Sequence, residues 1–172
     1  MSDLFHKDVP LEFIKDVFET IGRSPRHVFQ ILTKRPERLL QLAQDLPWYP
    51  NIWMGVSIES QQYVNRMKLL SYVPASVRFL SCEPLLSPLT IDLAKNDIHW
   101  VIVGGESGAK YRPMQMDWAI DIRNQCREEG VPFFFKQVGG RTPKANGRLL
   151  DGETWDEMPA AWQKHLDNLC LA

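Results

Sequence analysis

Five short apolar runs, each ending at glycine or at polar and charged residues, constrain this chain most. They begin at Val28, Ile52, Val77, Trp100 and Val131, at intervals of 24, 25, 23 and 31 residues. Each interval holds one strand, one helix and two connections, the period of βα units that build a parallel sheet. The last run but one, WVIVGGESG from Trp100 to Gly108, shows the pattern in full. Buried residues give way to flexible and polar ones at the strand exit, where α/β proteins meet their ligands.

Between the runs, helical patterns recur. Val9, Phe13, Val17 and Phe18 suggest one apolar face of a first helix that Asp8 caps, with Pro10 in its opening turn, and Gly22 stops it. Pro36 opens a second helix through Leu39, Leu40 and Leu42, and Val64, Met67 and Leu70 mark a third over 61–70. Trp118, Ile122 and Cys126 mark a fourth over 116–129, ended by Gly130. Beyond Gly140 the rhythm stops. A polar loop, a tight turn at Asp151-Gly152 and a short final helix packed through Trp155, Met158 and Trp162 should cap the domain. The expected architecture is α/β: a partial (βα) barrel of about five parallel strands over 1–140, with 141–172 as its C-terminal hairpin and helix cap. A doubly wound sheet competes, but it commonly carries a GxGxxG loop after its first strand, and none is present.

Composition narrows the function classes. The 172 residues are 44% hydrophobic, enough for one sizeable core, and the net charge of −1 advertises no overall basic field. Cys82, Cys126 and Cys170 lack the close spacing of a metal or iron–sulfur site and read as reduced thiols. No apolar run approaches the ~20 residues of a membrane helix. These features point to a cytoplasmic protein that does not enter membranes.

The chemistry-bearing residues gather at the run ends. Glu59, Glu83 and Glu106 each follow an apolar run, so a parallel sheet brings three carboxylates to one edge. They can bind an ammonium or sulfonium, or divide acid and base roles; equally, they can pair with Lys34, Arg35, Lys136 or Arg112 and fix loops. Gly104 and Gly105, with Ser107, permit close backbone approach to a ligand or form an ordinary loop. Lys136 and Gln137 follow three phenylalanines, placing an ammonium at the pocket mouth, where it anchors an anion or pairs with a glutamate. Thr33, Lys34 and Arg35 at another exit, together with Arg112 before Pro113 beyond the glycine loop, offer donors to an anionic substrate or nucleotide, or form a solvated loop face. Ser57 and Ser81 end their runs, and Asp3 joins the same rim. Cys82 is the one cysteine at an exit, either a nucleophile or a small core residue, whereas Cys126 and Cys170 read as helix-packing residues.

Several stretches together carry a family resemblance: MSDLFHKDVP, FQILTKRPER, IWMGVSIES, VRFLSCEPLL, WVIVGGESG with YRPM after it, PFFFKQVGG and GRLLDGETWDEMP. With them the chain resembles a bacteriophage-associated family of uncharacterised proteins, also found in bacteria, that is similar to radical S-adenosylmethionine enzymes. The resemblance implies a partial (βα) barrel in which an N-terminal three-cysteine loop holds a [4Fe–4S] cluster and S-adenosylmethionine lies across the strand exits. The three-cysteine loop has no counterpart here, as if the chain started inside its longer relatives. No cofactor is therefore evident from this chain, and whether it is an enzyme turns on that loop. The alternative is a non-catalytic ligand- or partner-binding module, or an inactive fragment. A small molecule or nucleotide is the expected ligand, with nucleic acid left open. A missing first strand would also expose a sheet edge and invite homo-oligomers.

Overall fold

A computed structural model describes residues 3–170. Its centre is one sheet of five strands, β1 (Phe29–Thr33), β2 (Ile52–Ser57), β3 (Val77–Cys82), β4 (Trp100–Gly104) and β5 (Phe133–Gln137), in spatial order β1-β2-β3-β4-β5. All four pairings are parallel. The sequential order has no reversal, so the sheet lacks the switch point at which a doubly wound fold binds its ligand. The α/β class and parallel sheet are as the run spacing predicts.

Every residue of β2, β3 and β4 is buried, which explains their uninterrupted apolar runs. Alternation still assigns each side chain a face. Met54, Val56, Leu80, Cys82, Val101, Val103, Phe133 and Phe135 join the main core with the helices. These are α1 (Leu11–Gly22), α2 (Pro36–Leu42), α3 (Asn65–Leu70) and α4 (Met116–Glu128). On the opposite face Trp53, Val77, Phe79, Trp100 and Ile102 form a second cluster, on which Met158 and Trp162 of the C-terminal segment pack. Trp53 meets Trp100 and Trp162 edge to face, with ring centroids 6.1 and 6.2 Å apart. A side chain at Gly55 would strike the Phe79 ring at 2.4 Å, so glycine there lets the aromatic layer close.

The two sheet edges differ. Along β5, Phe135 N donates to Trp155 O at 2.9 Å and Glu157 N to Phe133 O at 3.2 Å, covering that edge. Trp155 lies on the main core and Trp162 on the second cluster, so the segment between them crosses from one face of the sheet to the other before α5 (Ala160–Cys170). On β1 no backbone partner covers the outer side among the described residues, and Leu32 is 42% exposed.

Several expectations need correction. Pro10, with no side-chain cap, precedes α1, and its buried stripe is Ile14, Phe18 and Ile21. Phe13 lies about 100° from Ile14 around the helix and faces solvent. The segment 61–70 opens as a 3₁₀ turn, Gln61–Tyr63, before α3. β5 begins after Pro132, not at Val131, so Lys136 and Gln137 belong to the strand itself. Trp155 precedes the final helix instead of sitting in it, and Cys170 is exposed. The turn at Asp151-Gly152 forms as expected: both residues have positive φ, and Leu150 and Glu153 exchange backbone hydrogen bonds. No described helix is long and apolar enough to cross a membrane.

Candidate functional site

The face that carries aromatic residues near the strand entries becomes polar at the exits. Because side chains alternate, Phe79 is followed on that face by Ser81 and Glu83, and Trp53 by Gly55 and Ser57; in β5 the register shifts at Lys136, which lies between the pairs Phe135–Val103 and Gln137–Gly104. Ser57 and Ser81 are register partners in neighbouring strands, and both are buried. The ladder runs on into the exit loops: Ile58 N donates to Ser81 O at 3.0 Å, Leu86 N to Glu59 O at 2.8 Å and Leu85 N to Gly104 O at 3.0 Å. These bonds hold the exits of β2, β3 and β4 in fixed relation.

Asp3 organises the β1 exit. Its carboxylate accepts from Thr33 Oγ1 at 2.8 and 3.0 Å, from Lys34 N at 3.0 Å and from Phe5 N at 2.9 Å. Arg35 Nε lies 3.9 Å away. With Leu32, His6 and Ser57, the residues Asp3, Thr33, Lys34 and Arg35 line a cavity of about 400 Å³. A larger cavity of about 600 Å³ lies at the strand entries, between Val28, Asn51 and Trp53 and the α5 residues Ala161, Lys164 and His165. It is mainly apolar and has no carboxylate, so size alone does not locate the chemistry. The charged groups gather at the smaller cavity and the rim beyond it.

Along that rim each glutamate has a cation, from another element for Glu59 and Glu83 and from its own loop for Glu106. Glu59, 8% exposed at its side chain, pairs with Lys34 Nζ and with Arg66 Nη1 at 3.1 Å; the same Arg66 nitrogen donates to Ser57 O at 2.7 Å. Glu83 pairs with Lys136 Nζ at 2.9 Å and accepts from Ser81 Oγ at 3.4 Å. Glu106 holds Arg112 by three contacts: the backbone N–H at 2.7 Å, Nε at 2.9 Å and Nη2 at 2.7 Å. This fork pulls the Glu106 carboxyl down to about 2, chiefly through the guanidinium and then through the Arg112 amide. Glu106 in turn raises Arg112, which also feels the charge of Glu59. The carboxylates are thus mostly buried, whereas Lys34 and Lys136 stand about half exposed.

The glycines belong to this construction. A Cβ on Gly104 would meet the Glu83 carboxylate at 3.2 Å, and one on Gly105 would sit 1.9 Å from Val138 O. The β4 and β5 exit loops therefore touch backbone to backbone, tied by Gly105 N to Gln137 O and Gly140 N to Glu106 O, both 2.9 Å. Gln137 Nε2 adds a bond to Gly105 O at 3.1 Å.

Of the two alternatives for Cys82, a nucleophile at the exit or a small core residue, the structure shows the second. Cys82 lies in the main core on the helix side, one residue out of phase with Ser81 and Glu83, and burial pushes its thiol far up. Ser107 is exposed on the loop outside the rim. Arg66 is the participant that sequence reasoning missed: it sits among Val64, Met67 and Leu70, and only the tertiary fold turns it toward Glu59.

Chemically, the arrangement can exchange an internal ion pair for a ligand's charge. A ligand anion can replace a glutamate at Lys34 or Lys136, and a ligand cation can replace a lysine at Glu59 or Glu83. No group of three or more His, Cys, Asp or Glu placed to hold a metal ion lies among the described residues. Compared with known proteins, the chain matches over residues 1–159 the model of a family described as "Protein of unknown function (DUF5131)". No curated protein and no solved structure matches it.

Proposed function

We propose, for a chain that belongs to the DUF5131 family and takes no activity from that description, a ligand-binding partial (βα) barrel of the radical S-adenosylmethionine type, with its pocket at the strand exits. One observation carries the reading: buried Glu59 and partly buried Glu83, at the exits of neighbouring strands, are each capped by a half-exposed lysine, and the lysine on Glu59, Lys34, also lines the cavity with Asp3, Thr33 and Arg35. A small molecule with both charges suits such a rim better than a simple anion or cation. S-adenosylmethionine is one, with a carboxylate for Lys34 or Lys136 and an ammonium and sulfonium for the glutamates.

The cysteines do not fit an iron–sulfur cluster. Cys82 and Cys126 are buried in the core and Cys170 is exposed on α5, so no set of three converges on the pocket. No reaction step is assigned through a cluster. Phage association and radical-type chemistry rest on the resemblance of the motif stretches alone.

Calorimetric titration with S-adenosylmethionine and with its demethylated analogue, S-adenosylhomocysteine, tests the reading. The sulfonium form is expected to bind more tightly, and Lys34→Ala to weaken both ligands. Absence of heat with either ligand refutes it. A second reading, a non-catalytic module for anionic ligands such as nucleotides, draws on the outward lysine heads over glutamates that already have partners. Binding of ATP without binding of S-adenosylmethionine would select it.

A further inference from the structure

Charge is segregated in this nearly neutral chain. The segments 107–115 and 138–149 hold five of its 20 Lys and Arg residues, namely Lys110, Arg112, Arg141, Lys144 and Arg148, and none of its 21 Asp and Glu. They make up most of the exit loops of β4 and β5, the first of which also carries Glu106, and the fold lays them side by side. Ser107 and Gly140 form a parallel bridge, Gly108 N donates to Gly140 O at 3.0 Å, and Gly140 N donates to Glu106 O at 2.9 Å. The second loop is closed on itself by Val138 N to Gly147 O at 3.0 Å and Asn146 Nδ2 to Gly139 O at 2.9 Å.

All five cations are exposed. Arg112 is held by Glu106, and Arg148 by Asp156. Lys110, Arg141 and Lys144 have no ion pair among the described residues, so three cations on ordered backbone lack any internal counter-charge. Between Lys110 and Arg112 stands Tyr111, an exposed aromatic ring with no stacking partner among the described residues. Uncommitted cations beside an open aromatic ring suit alternating phosphates and bases, with the phosphates neutralised and a base stacked. An acidic peptide would use the cations and leave the ring idle. A duplex would offer phosphates but keep its bases stacked on one another.

We propose that the paired exit loops of β4 and β5 form a docking surface for single-stranded nucleic acid, with Lys110, Arg141 and Lys144 on the phosphates and Tyr111 against a base. The inference stands whether or not the neighbouring pocket binds S-adenosylmethionine, because none of these four residues lines that pocket.

Fluorescence anisotropy of labelled oligo(dT) with the intact chain tests it. Three phosphate contacts to a single strand give a log–log salt slope near −2, so affinity should fall about 20-fold between about 50 and 200 mM KCl. The triple variant Lys110→Ala, Arg141→Ala, Lys144→Ala should bind at least tenfold more weakly with a flattened slope. Its substitutions are exposed, and an unchanged circular dichroism spectrum and melting temperature would show that it folds. Tyr111→Leu should weaken oligo(dT) roughly tenfold, in line with loss of one base–aromatic stack, and leave duplex binding unaltered. The proposal is overturned if oligo(dT) does not bind, if the triple variant binds as the parent does, or if polyglutamate competes as well as oligo(dT).

Discussion

Substitution of Gly105 by alanine should unfold this protein far more readily than the same change at its neighbour Gly104. Gly105 does not have a positive φ, so the argument is one of space alone. Its Cβ would fall 1.9 Å from Val138 O and 2.7 Å from Val138 C, both backbone atoms that no rotamer change can remove. Restoring ordinary contact needs the two exit loops to part by ~1.5 Å, which would lengthen the 2.9 Å bonds Gly105 N to Gln137 O and Gly140 N to Glu106 O past any useful distance. Overpacking of this kind costs about 1–3 kcal/mol, and each backbone hydrogen bond lost adds about 1 kcal/mol. We expect Gly105→Ala to lower stability by about 3–4 kcal/mol and Tm by roughly 10 °C. At Gly104 the new methyl would meet only the ends of Glu83 and Gln137, at 3.2 and 3.3 Å, and both side chains can give way. Alanine also fits a strand better than glycine, so Gly104→Ala should stay within about 1 kcal/mol of the parent. Urea unfolding followed by circular dichroism measures both. If the two variants are equally stable, the backbone contact between the loops is not what the distances imply.

Three further outcomes are expected. The Glu106 carboxyl, held at about 2 against an ordinary 4.5, should contribute its full stabilisation above about pH 4.5 and lose it as pH falls through 2. Carbon NMR titration should show this low midpoint and its return toward 4.5 in Arg112→Ala; an unmoved midpoint would mean that the fork is not the cause. Only Cys170 should react with a thiol reagent in the native protein, because burial pushes the Cys126 thiol up to about 12 and Cys82 further still, and all three should react in denaturant. On the bare side of β1, Gln30 and Leu32 direct their backbone groups outward, since Phe29 N donates to Asn51 O on the β2 side. A second copy should pair there at high concentration, and Leu32→Pro, which removes an outward N–H and no ladder bond, should leave a monomer. A parent chain that is monomeric by light scattering would end that argument.

The run spacing revealed the sheet because interior parallel strands must be apolar on both faces. The same burial hid the parity of each strand. Ser81, Cys82 and Glu83 stand in a row in the sequence, and nothing local tells which two share a face. The register of Ser57 with Ser81 decides it, turning Glu83 toward Lys136 and Cys82 into the helix-side core. Glu59, Glu83 and Glu106 could be found because each follows an apolar run. Arg66 could not, because its partner is supplied by the packing of α3 and not by any spacing. Phe13 misled for a related reason: of the expected face of Val9, Phe13, Val17 and Phe18, Phe18 is buried and Val9 and Val17 pack against the core, but Ile14 and Ile21 complete the buried stripe and Phe13 faces solvent.

The rim and the basic loops depend on one piece of backbone. Gly105 and Gly139 let two strand exits approach until carbonyls and amides meet, since a Cβ on Gly139 would lie 2.3 Å from Glu106 O. That contact fixes the Glu106 backbone beside β5 and so determines where its carboxylate can hold Arg112. It also sets Ser107 against Gly140, which brings Lys110 and Tyr111 alongside the loop of Arg141 and Lys144. Separating the exits should therefore disturb two properties that no shared side chain connects. In Gly105→Ala at a temperature where it remains folded, the Glu106 midpoint should rise and oligo(dT) binding should weaken together, whereas Gly104→Ala should leave both near their parent values. A Gly105→Ala protein that lost only one of the two would show that the loops are held by something other than this contact.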